Sequence, residues 1–141
     1  MRHLLFIVGI CMIIVSCSTS KKNDSLAAGD DGRVKLITLD PGHFHAALIQ
    51  KKSYPQVDSN VYVYAPKGDD LNEHLKKIES YNHQTTNPTH WNEIVYDGTD
   101  FFEKMVAEKK GNVVVLAGNN EKKTEYIKKS LEAGFNVLAD K

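Results

Sequence analysis

The sequence predicts an α/β domain built on a doubly wound, mostly parallel sheet with the strand order 3-2-1-4-5. Short apolar runs rich in β-branched residues, VKLITL at 34–39 and VVVL at 113–116, are typical of strands buried on both faces. Between such runs, apolar residues recur at helical spacing, which places a helix after each strand. This alternation of strands and helices favours parallel strands covered by helices on both sides.

The first strand, residues 34–39, runs into the turn DPGHF at 40–44 and then into a first helix. A turn that binds a diphosphate needs backbone close to the ligand and N–H groups at a helix start. Gly42 meets the first need. Two further glycines of a dinucleotide-binding turn are missing, Asp40 adds a carboxylate, and Pro41 has no N–H. The turn therefore matches that pattern only in part.

The second strand, residues 61–65, ends before Lys67 without the acidic residue that holds ribose hydroxyls in NAD-binding folds. Lys67 is either a solvated turn lysine or a partner for the extra phosphate of NADP. Asp69 and Asp70 are expected to cap the next helix, residues 70–81. Its apolar face is predicted to comprise Leu71, Leu75 and Ile78.

A polar connection at 82–92 carries the only tryptophan, Trp91, which either anchors the loop to the core or stacks on a ligand ring. A third strand follows at 93–96. The next helix is expected to be capped by Asp97 or Thr99 and to end at Gly111. Its inward residues are predicted to be Phe101, Phe102, Met105 and Val106.

The clearest strand–helix–strand unit lies at 111–141. After the fourth strand, Asn119 or Asn120 can cap a helix, and Gly134 stands where a left-handed residue ends it. The inward residues of this helix are predicted to be Tyr126, Ile127 and Leu131. Residues 135–139 then form a fifth strand.

In the strand order 3-2-1-4-5, the turns after the first and fourth strands flank the point where the order reverses, and ligands of such sheets bind there. A crevice for a nucleotide-like ligand is therefore predicted, lined by Gly42, His43, Phe44, Gly118, Asn119 and Asn120. His43 and His45 also suggest a metal site, since imidazole is a common metal ligand. A helix, however, does not place residues two apart on the same face. We expect no metal, with His45 packing against or capping the first helix.

These segments resemble the Gfo/Idh/MocA family of nicotinamide-dependent sugar oxidoreductases. In that family the fourth-strand turn commonly reads Thr-Pro-Asn-His and the fifth strand ends in Glu-Lys-Pro. Aligned on LEAG at 131–134, Asn120 falls on the family's Asn, and Asp140 and Lys141 fall on its Glu-Lys. His45 and Ala46 resemble its His-Ala segment.

The resemblance implies that residues 33–141 are a Rossmann-like domain binding NAD or NADP, and that Lys141 assists proton transfer at a sugar substrate. It covers only the cofactor-binding half of the family, whose members continue with a sugar-binding domain. We therefore expect a fragment that is inactive alone and poorly soluble. The alternative is a non-catalytic, carbohydrate-associated binding or scaffold lipoprotein. Homo-oligomerisation stays open.

Residues 1–16 are predicted to be a lipoprotein signal peptide, because a short apolar stretch leads into Ile-Val-Ser-Cys, which resembles the bacterial lipobox. Cys17 would then carry lipid and anchor the protein at a membrane surface of the cell envelope. An ordinary signal peptide or an uncleaved anchor is the alternative. Residues 17–32 are expected to be a flexible tether. With 18 basic and 18 acidic residues and no basic stripe, nucleic-acid binding has no support.

Overall fold

The computed structural model describes residues 32–118 and 120–140. The predictions for the signal peptide, for nearly all of the tether, and for Cys17, Asn119 and Lys141 lie outside these residues. Within the described part of the chain, no helix is both long and apolar enough to cross a membrane.

Five parallel strands form one sheet in the order 3-2-1-4-5, which confirms the predicted fold class. A 3₁₀ helix follows the first strand, and α-helices follow the next three. The elements are β1 Leu36–Leu39, the 3₁₀ helix Phe44–Lys51, β2 Asn60–Tyr64, α1 Asp69–Asn82, β3 Asn92–Tyr96, α2 Phe101–Glu108, β4 Val113–Leu116, α3 Asn120–Glu132 and β5 Asn136–Ala139.

The two central strands, β1 and β4, pair in register from Leu36 opposite Val113 to Leu39 opposite Leu116. Their carboxyl ends therefore stop side by side. The Asn112 side chain fixes this register just before β4, since its Oδ1 accepts from the Lys35 N–H at 2.9 Å and its Nδ2 donates to the Arg33 carbonyl at 3.0 Å.

The two faces of the sheet are packed differently. The α2–α3 face, covered by α2 and α3, holds one large apolar cluster, which comprises Ile37, Leu39, Tyr64, Phe102, Met105, Val114, Leu116, Tyr126 and Phe135. The α1 face, covered by the 3₁₀ helix and α1, has two smaller apolar clusters. One comprises Leu36, Ala47, Val61, Ile78, Trp91 and Val115, and the other comprises Val63, Ala65 and Leu71. Fully buried Gln50 and nearly buried His74 also lie on elements of the α1 face.

Trp91 anchors the 82–92 connection to the core, which was one of its two predicted roles. Its side chain is buried, and its Nε1 donates to the Gln50 carbonyl at 2.6 Å. The 82–92 connection is thereby fixed to the end of the 3₁₀ helix. Gly134, with φ of 88°, ends α3 as predicted.

Several predicted helix ends and faces are wrong. Gly68 is the residue before α1, so Asp69 and Asp70 lie in the first turn of the helix. There their carboxylates interact favourably with the helix dipole, but neither side chain forms a capping hydrogen bond. The predicted caps of α2, Asp97 and Thr99, are also wrong, because Asp100 is the residue that precedes this helix. Leu131, predicted to face inward on α3, is 55% exposed.

α2 ends at Glu108 with Lys109 as its C-cap, and Gly111 is not the end of the helix. Lys109 adopts a left-handed conformation with φ of 48°, and its N–H donates to the Met105 carbonyl. Gly111 has a packing role instead, since a Cβ there would lie 2.6 Å from the Lys35 carbonyl oxygen and 2.7 Å from the Ile37 side chain. Glycine at 111 therefore allows the chain to pass close to β1.

Candidate functional site

The turn after β1 is folded tightly on itself. Asp40 has a left-handed backbone with φ of 46°, and its N–H donates to the Tyr64 carbonyl at 3.0 Å. The Gly42 N–H donates back to the Asp40 carbonyl at 2.9 Å. The chain therefore reverses directly at the end of β1 and begins the 3₁₀ helix at Phe44.

The turns after β1 and β4 touch each other. The His43 N–H donates to the Ala117 carbonyl at 3.0 Å. A Cβ at Gly118 would lie 2.0 Å from the Asp40 carbonyl oxygen and 2.9 Å from the Gly42 nitrogen, so only glycine fits there. The structure thus brings Gly42, His43 and Gly118 together where the strand order reverses.

This contact uses the N–H groups that a diphosphate would need. The N–H groups of Gly42 and His43 both bond to carbonyls of the protein, and the His45 N–H approaches His43 Nδ1 at 3.4 Å. His43, rather than His45, is therefore the residue that caps the 3₁₀ helix. In this closed arrangement the N–H groups of Gly42, His43 and His45 do not form an anion-binding concavity that is open to a ligand.

His45 instead reaches across the end of β4. Its Nδ1 hydrogen-bonds the Asp140 carboxylate just after β5, and Asp140 is the acceptor when ionised. The Asp140 N–H donates to the Leu116 carbonyl at 2.9 Å, and its carbonyl accepts from Lys123 Nζ at 2.5 Å. Because β4 lies between β1 and β5, these bonds fix the end of β5 beside the two central turns.

Phe44 and Asn120 stand at the same edge of the sheet. The Phe44 side chain is 59% exposed, and its ring contacts the rings of His43 and His45 at centroid distances of 4.5 and 4.3 Å, while the two histidine rings lie 4.3 Å from each other. Asn120 is exposed and begins α3. Both side chains are accessible to a ligand at the carboxyl ends of the strands.

A cavity of about 330 Å³ opens between the β1 turn and α1, and we call it the α1 cavity. It is lined by Pro41, Gly42, His43, Phe44, Ala47, Asp70, Glu73, His74 and Lys77. A smaller cavity of about 230 Å³, the β2 cavity, lies at the ends of β1 and β2 and shares Pro41 and Asp70 with it. Its other lining residues are Asp40, Ala65, Pro66, Lys67, Gly68, Asp69 and Leu71.

Carboxylates dominate the charge where the two cavities meet. Burial, reinforced by the Asp70 carboxylate and opposed by Lys122, raises the pKa of Asp40 above its usual range. Lys67 is 85% exposed and its ammonium lies 3.6 Å from the Asp97 carboxylate. Directly after β2 the chain therefore carries a surface lysine paired with Asp97, while the carboxylates of the β2 cavity come from Asp40, Asp69 and Asp70.

Sequence reasoning missed a buried polar cluster beneath the α1 cavity. The side chains of His74 and Glu93 are 2% and 10% exposed, and His74 Nε2 lies 3.8 Å from Glu93 Oε2. The Gln50 amide donates to the other Glu93 oxygen at 2.5 Å. Spacing could have revealed His74, because it lies three residues after Leu71 and four before Ile78 on the inward face of α1.

Among residues 32–118 and 120–140, no group of three or more His, Cys, Asp or Glu side chains converges in a way that could bind a metal ion.

The parallel sheet, its order and the meeting of the β1 and β4 turns define a Rossmann-like α/β domain. The crystal structure of a putative oxidoreductase from Parabacteroides merdae ATCC 43184 is similar to it, with 72% sequence identity and a TM-score of 0.77. The match covers 78% of this chain and 25% of that one, so the chain spans about a quarter of the matched protein's length. Neither a protein-family model nor a curated protein matches the sequence.

Proposed function

We propose that this domain is the nucleotide-binding part of a larger oxidoreductase that uses NAD or NADP to oxidise or reduce a sugar or sugar derivative. The observation that carries the proposal is the 72% identity to part of the Parabacteroides merdae protein. The Rossmann-like sheet supports a nucleotide at the carboxyl ends of its strands. The sugar and the Gfo/Idh/MocA assignment rest on the resemblance of the turn after β4 and of Asp140 and Lys141 to that family's motifs.

The residues present fit a dinucleotide in part. The ring of Phe44 is available for stacking, and the exposed Asn120 opens a helix whose positive end faces the same edge. Against this, the N–H groups of Gly42 and His43 are engaged. We therefore propose that the cofactor is held by side chains and by the start of α3, with little contribution from the β1 turn backbone.

The reaction centre is proposed at the end of β5. Bound NAD or NADP would exchange hydride with the sugar carbon, and Lys141 would hold or move the proton of the reacting hydroxyl. Such a lysine needs a lowered pKa, which burial or a neighbouring cation provides. The bonds of His45 and Lys123 to Asp140 would fix the peptide that precedes Lys141.

Calorimetric titration of the native protein with NAD and with NADP tests the proposal. We expect saturable binding of one of them, weakened about tenfold by Asn120→Asp, because a carboxylate at this edge repels the diphosphate. Asn87→Asp, the same change at an exposed loop position, is the control and should leave binding unchanged. Lys141→Ala should keep binding and lose turnover.

A second candidate is a carbohydrate-associated binding or scaffold protein that no longer binds dinucleotide. The observation that favours it is the closure of the β1 turn onto Ala117 and Gly118. A folded protein that binds neither NAD nor NADP in the same titration would select this candidate over the oxidoreductase.

Anchoring to the bacterial cell envelope through lipid on Cys17 is a further part of the proposal. The intact mass of the native protein extracted from membranes should show cleavage before Cys17 and added acyl chains. Cys17→Ser should abolish both, whereas Cys11→Ser should change neither the cleavage site nor the acylation. An unacylated wild-type mass would contradict the anchor.

A further inference from the structure

The α1 cavity lies beside the β1 turn but is directed toward α1, away from β4 and β5. We propose that the α1 cavity is a binding site for a neutral sugar or polyol. The cavity shares Phe44 with the proposed cofactor site, but this proposal does not rest on the cofactor or on the reaction at the end of β5. Its volume of about 330 Å³ lies at the lower end of the range for small-molecule sites.

One wall of the cavity presents hydrogen-bonding groups of both kinds. Asp70 lies three residues before Glu73 and four before His74, and Lys77 lies four and three residues after them, so α1 presents all four to the cavity. The carboxylates accept, with one Glu73 oxygen already bonded to the Lys76 ammonium at 3.0 Å, and the Lys77 ammonium donates. A hydroxyl both donates and accepts, so a ring with several adjacent hydroxyls satisfies such a mixed wall.

The opposite wall offers an apolar surface. Phe44 is 59% exposed, and its contact with the His43 ring holds it in place. A sugar ring has apolar C–H groups on its faces and hydroxyls around its rim. It can therefore pack its face against Phe44 while its hydroxyls reach α1.

The same wall disfavours other small ligands. Asp70 and Glu73 repel phosphates, and Asp40 adds a third carboxyl group beyond Pro41. Lys77 offsets part of this negative charge and so weakens the attraction for an organic cation. The described residues hold no converging set of three metal-ligating side chains. A neutral, hydroxyl-rich ligand matches this mixed wall best, because it needs no net charge of its own to bond both kinds of group.

The floor of the cavity supplies an independent observation. The ring of His74 borders the cavity, and its buried Nε2 has no hydrogen-bond partner. Its 3.8 Å separation from Glu93 Oε2, which is also unpartnered, is too long for a hydrogen bond. Buried polar groups in this state are costly, so a ligand that moves the ring toward Glu93 would be favoured by the bond that then forms.

Nitrogen NMR of the histidine rings in the native protein tests the site. The probes are D-glucose, D-galactose, D-mannose and myo-inositol, each titrated separately. We expect at least one to give a saturable shift of the His74 signals. Glu73→Gln, an isosteric change at an exposed position, should weaken that binding about tenfold, because a hydrogen bond to a charged oxygen becomes a weaker bond to a neutral one. Glu79→Gln, the same change outside the cavity on the same helix, is the control and should bind as wild type.

The proposal is overturned if no probe gives a saturable His74 shift, or if Glu73→Gln binds as tightly as Glu79→Gln. Lys77→Met provides a second disruption of the same wall and should also weaken binding. Cofactor binding is measured separately through Asn120→Asp, so a failure of the sugar site and a failure of the cofactor proposal give different results.

Discussion

The two faces of the sheet differ in what they bury. The α2–α3 face is covered by a continuous apolar cluster in which Phe102 stacks on Tyr126 at 5.0 Å. The α1 face buries three side chains, Gln50, His74 and Glu93, that each have a polar atom without a hydrogen-bond partner, whereas α3 contributes only the Ser130 hydroxyl to this group, and the α1 cavity opens beside the α1 face. Apolar burial stabilises a fold, whereas incompletely satisfied polar groups cost stability. We infer that the α2–α3 face contributes most of the stability and that the α1 face carries binding capacity.

The largest expected effect is on the α2–α3 face. Met105 is fully buried in its cluster, so Met105→Ala should lower the free energy of unfolding by about 2–5 kcal/mol, through lost apolar contact and the cavity left behind. Urea denaturation measures the change. Leu131→Ala on α3 is the control, with about 0.5 kcal/mol or less expected because the side chain is largely exposed. Equal costs for the two variants would contradict the comparison.

The contact between the β1 and β4 turns comes next. A methyl group at Gly118 must displace the Asp40 carbonyl, so Gly118→Ala should cost about 1–3 kcal/mol. Thermal and urea unfolding report it. At Gly68 nothing lies within 4 Å of the added Cβ, and Gly68→Ala should therefore cost less than Gly118→Ala. A neutral Gly118→Ala would mean that the two turns are not in contact in solution.

A smaller effect is expected at the hydrogen bond from Trp91 on the α1 face. Trp91→Phe keeps a buried ring but leaves the Gln50 carbonyl without its donor, which should cost about 1–2 kcal/mol. Urea denaturation at neutral pH gives the value. Tyr126→Phe, which removes only a hydroxyl from the α2–α3 face, should cost less under the same conditions. A larger cost for Tyr126→Phe than for Trp91→Phe would contradict the prediction that the more stabilising of these two polar groups lies on the α1 face.

The last effect is absent at neutral pH and appears only at alkaline pH. Burial raises the pKa of Tyr126 to about 12, while a tyrosine in the unfolded chain ionises near 10. The stability that Tyr126 contributes is therefore fully present below about pH 10 and is lost as pH rises toward about 12. Urea denaturation across this range should show a shallower decline for Tyr126→Phe. Trp91→Phe, which removes no titratable group, should keep the wild-type slope.

Local pattern predicted the elements and order of this fold because each strand and helix carries its own periodicity. The runs at 34–39 and 113–116 needed burial on both faces, and only central strands provide it. The proximity of the β1 and β4 turns, which contain Gly42 and Gly118, followed from that order. The tight folding of the β1 turn could not be predicted, because a residue before proline normally prefers an extended backbone, whereas Asp40 is left-handed.

Features that depend on distant contacts escaped the same reasoning. Gly111 looked like a helix end, but its requirement for glycine comes from Lys35 and Ile37 on β1, while Lys109 takes the left-handed position. The α1 cavity forms only when α1 packs beside the 3₁₀ helix. His74 and Glu93 likewise meet only after β3 has joined the sheet.

The pairing of β1 with β4 also has a consequence for synthesis of the protein. The bond from the Lys35 N–H to Asn112 spans 77 positions, so one edge of β1 has no partner until the ribosome has made β4. Contacts so distant in sequence form slowly, and an open strand edge recruits other chains. The nascent chain that has emerged through β3 is therefore the species most in need of a chaperone, and the time between translation of β1 and β4 sets its exposure to aggregation.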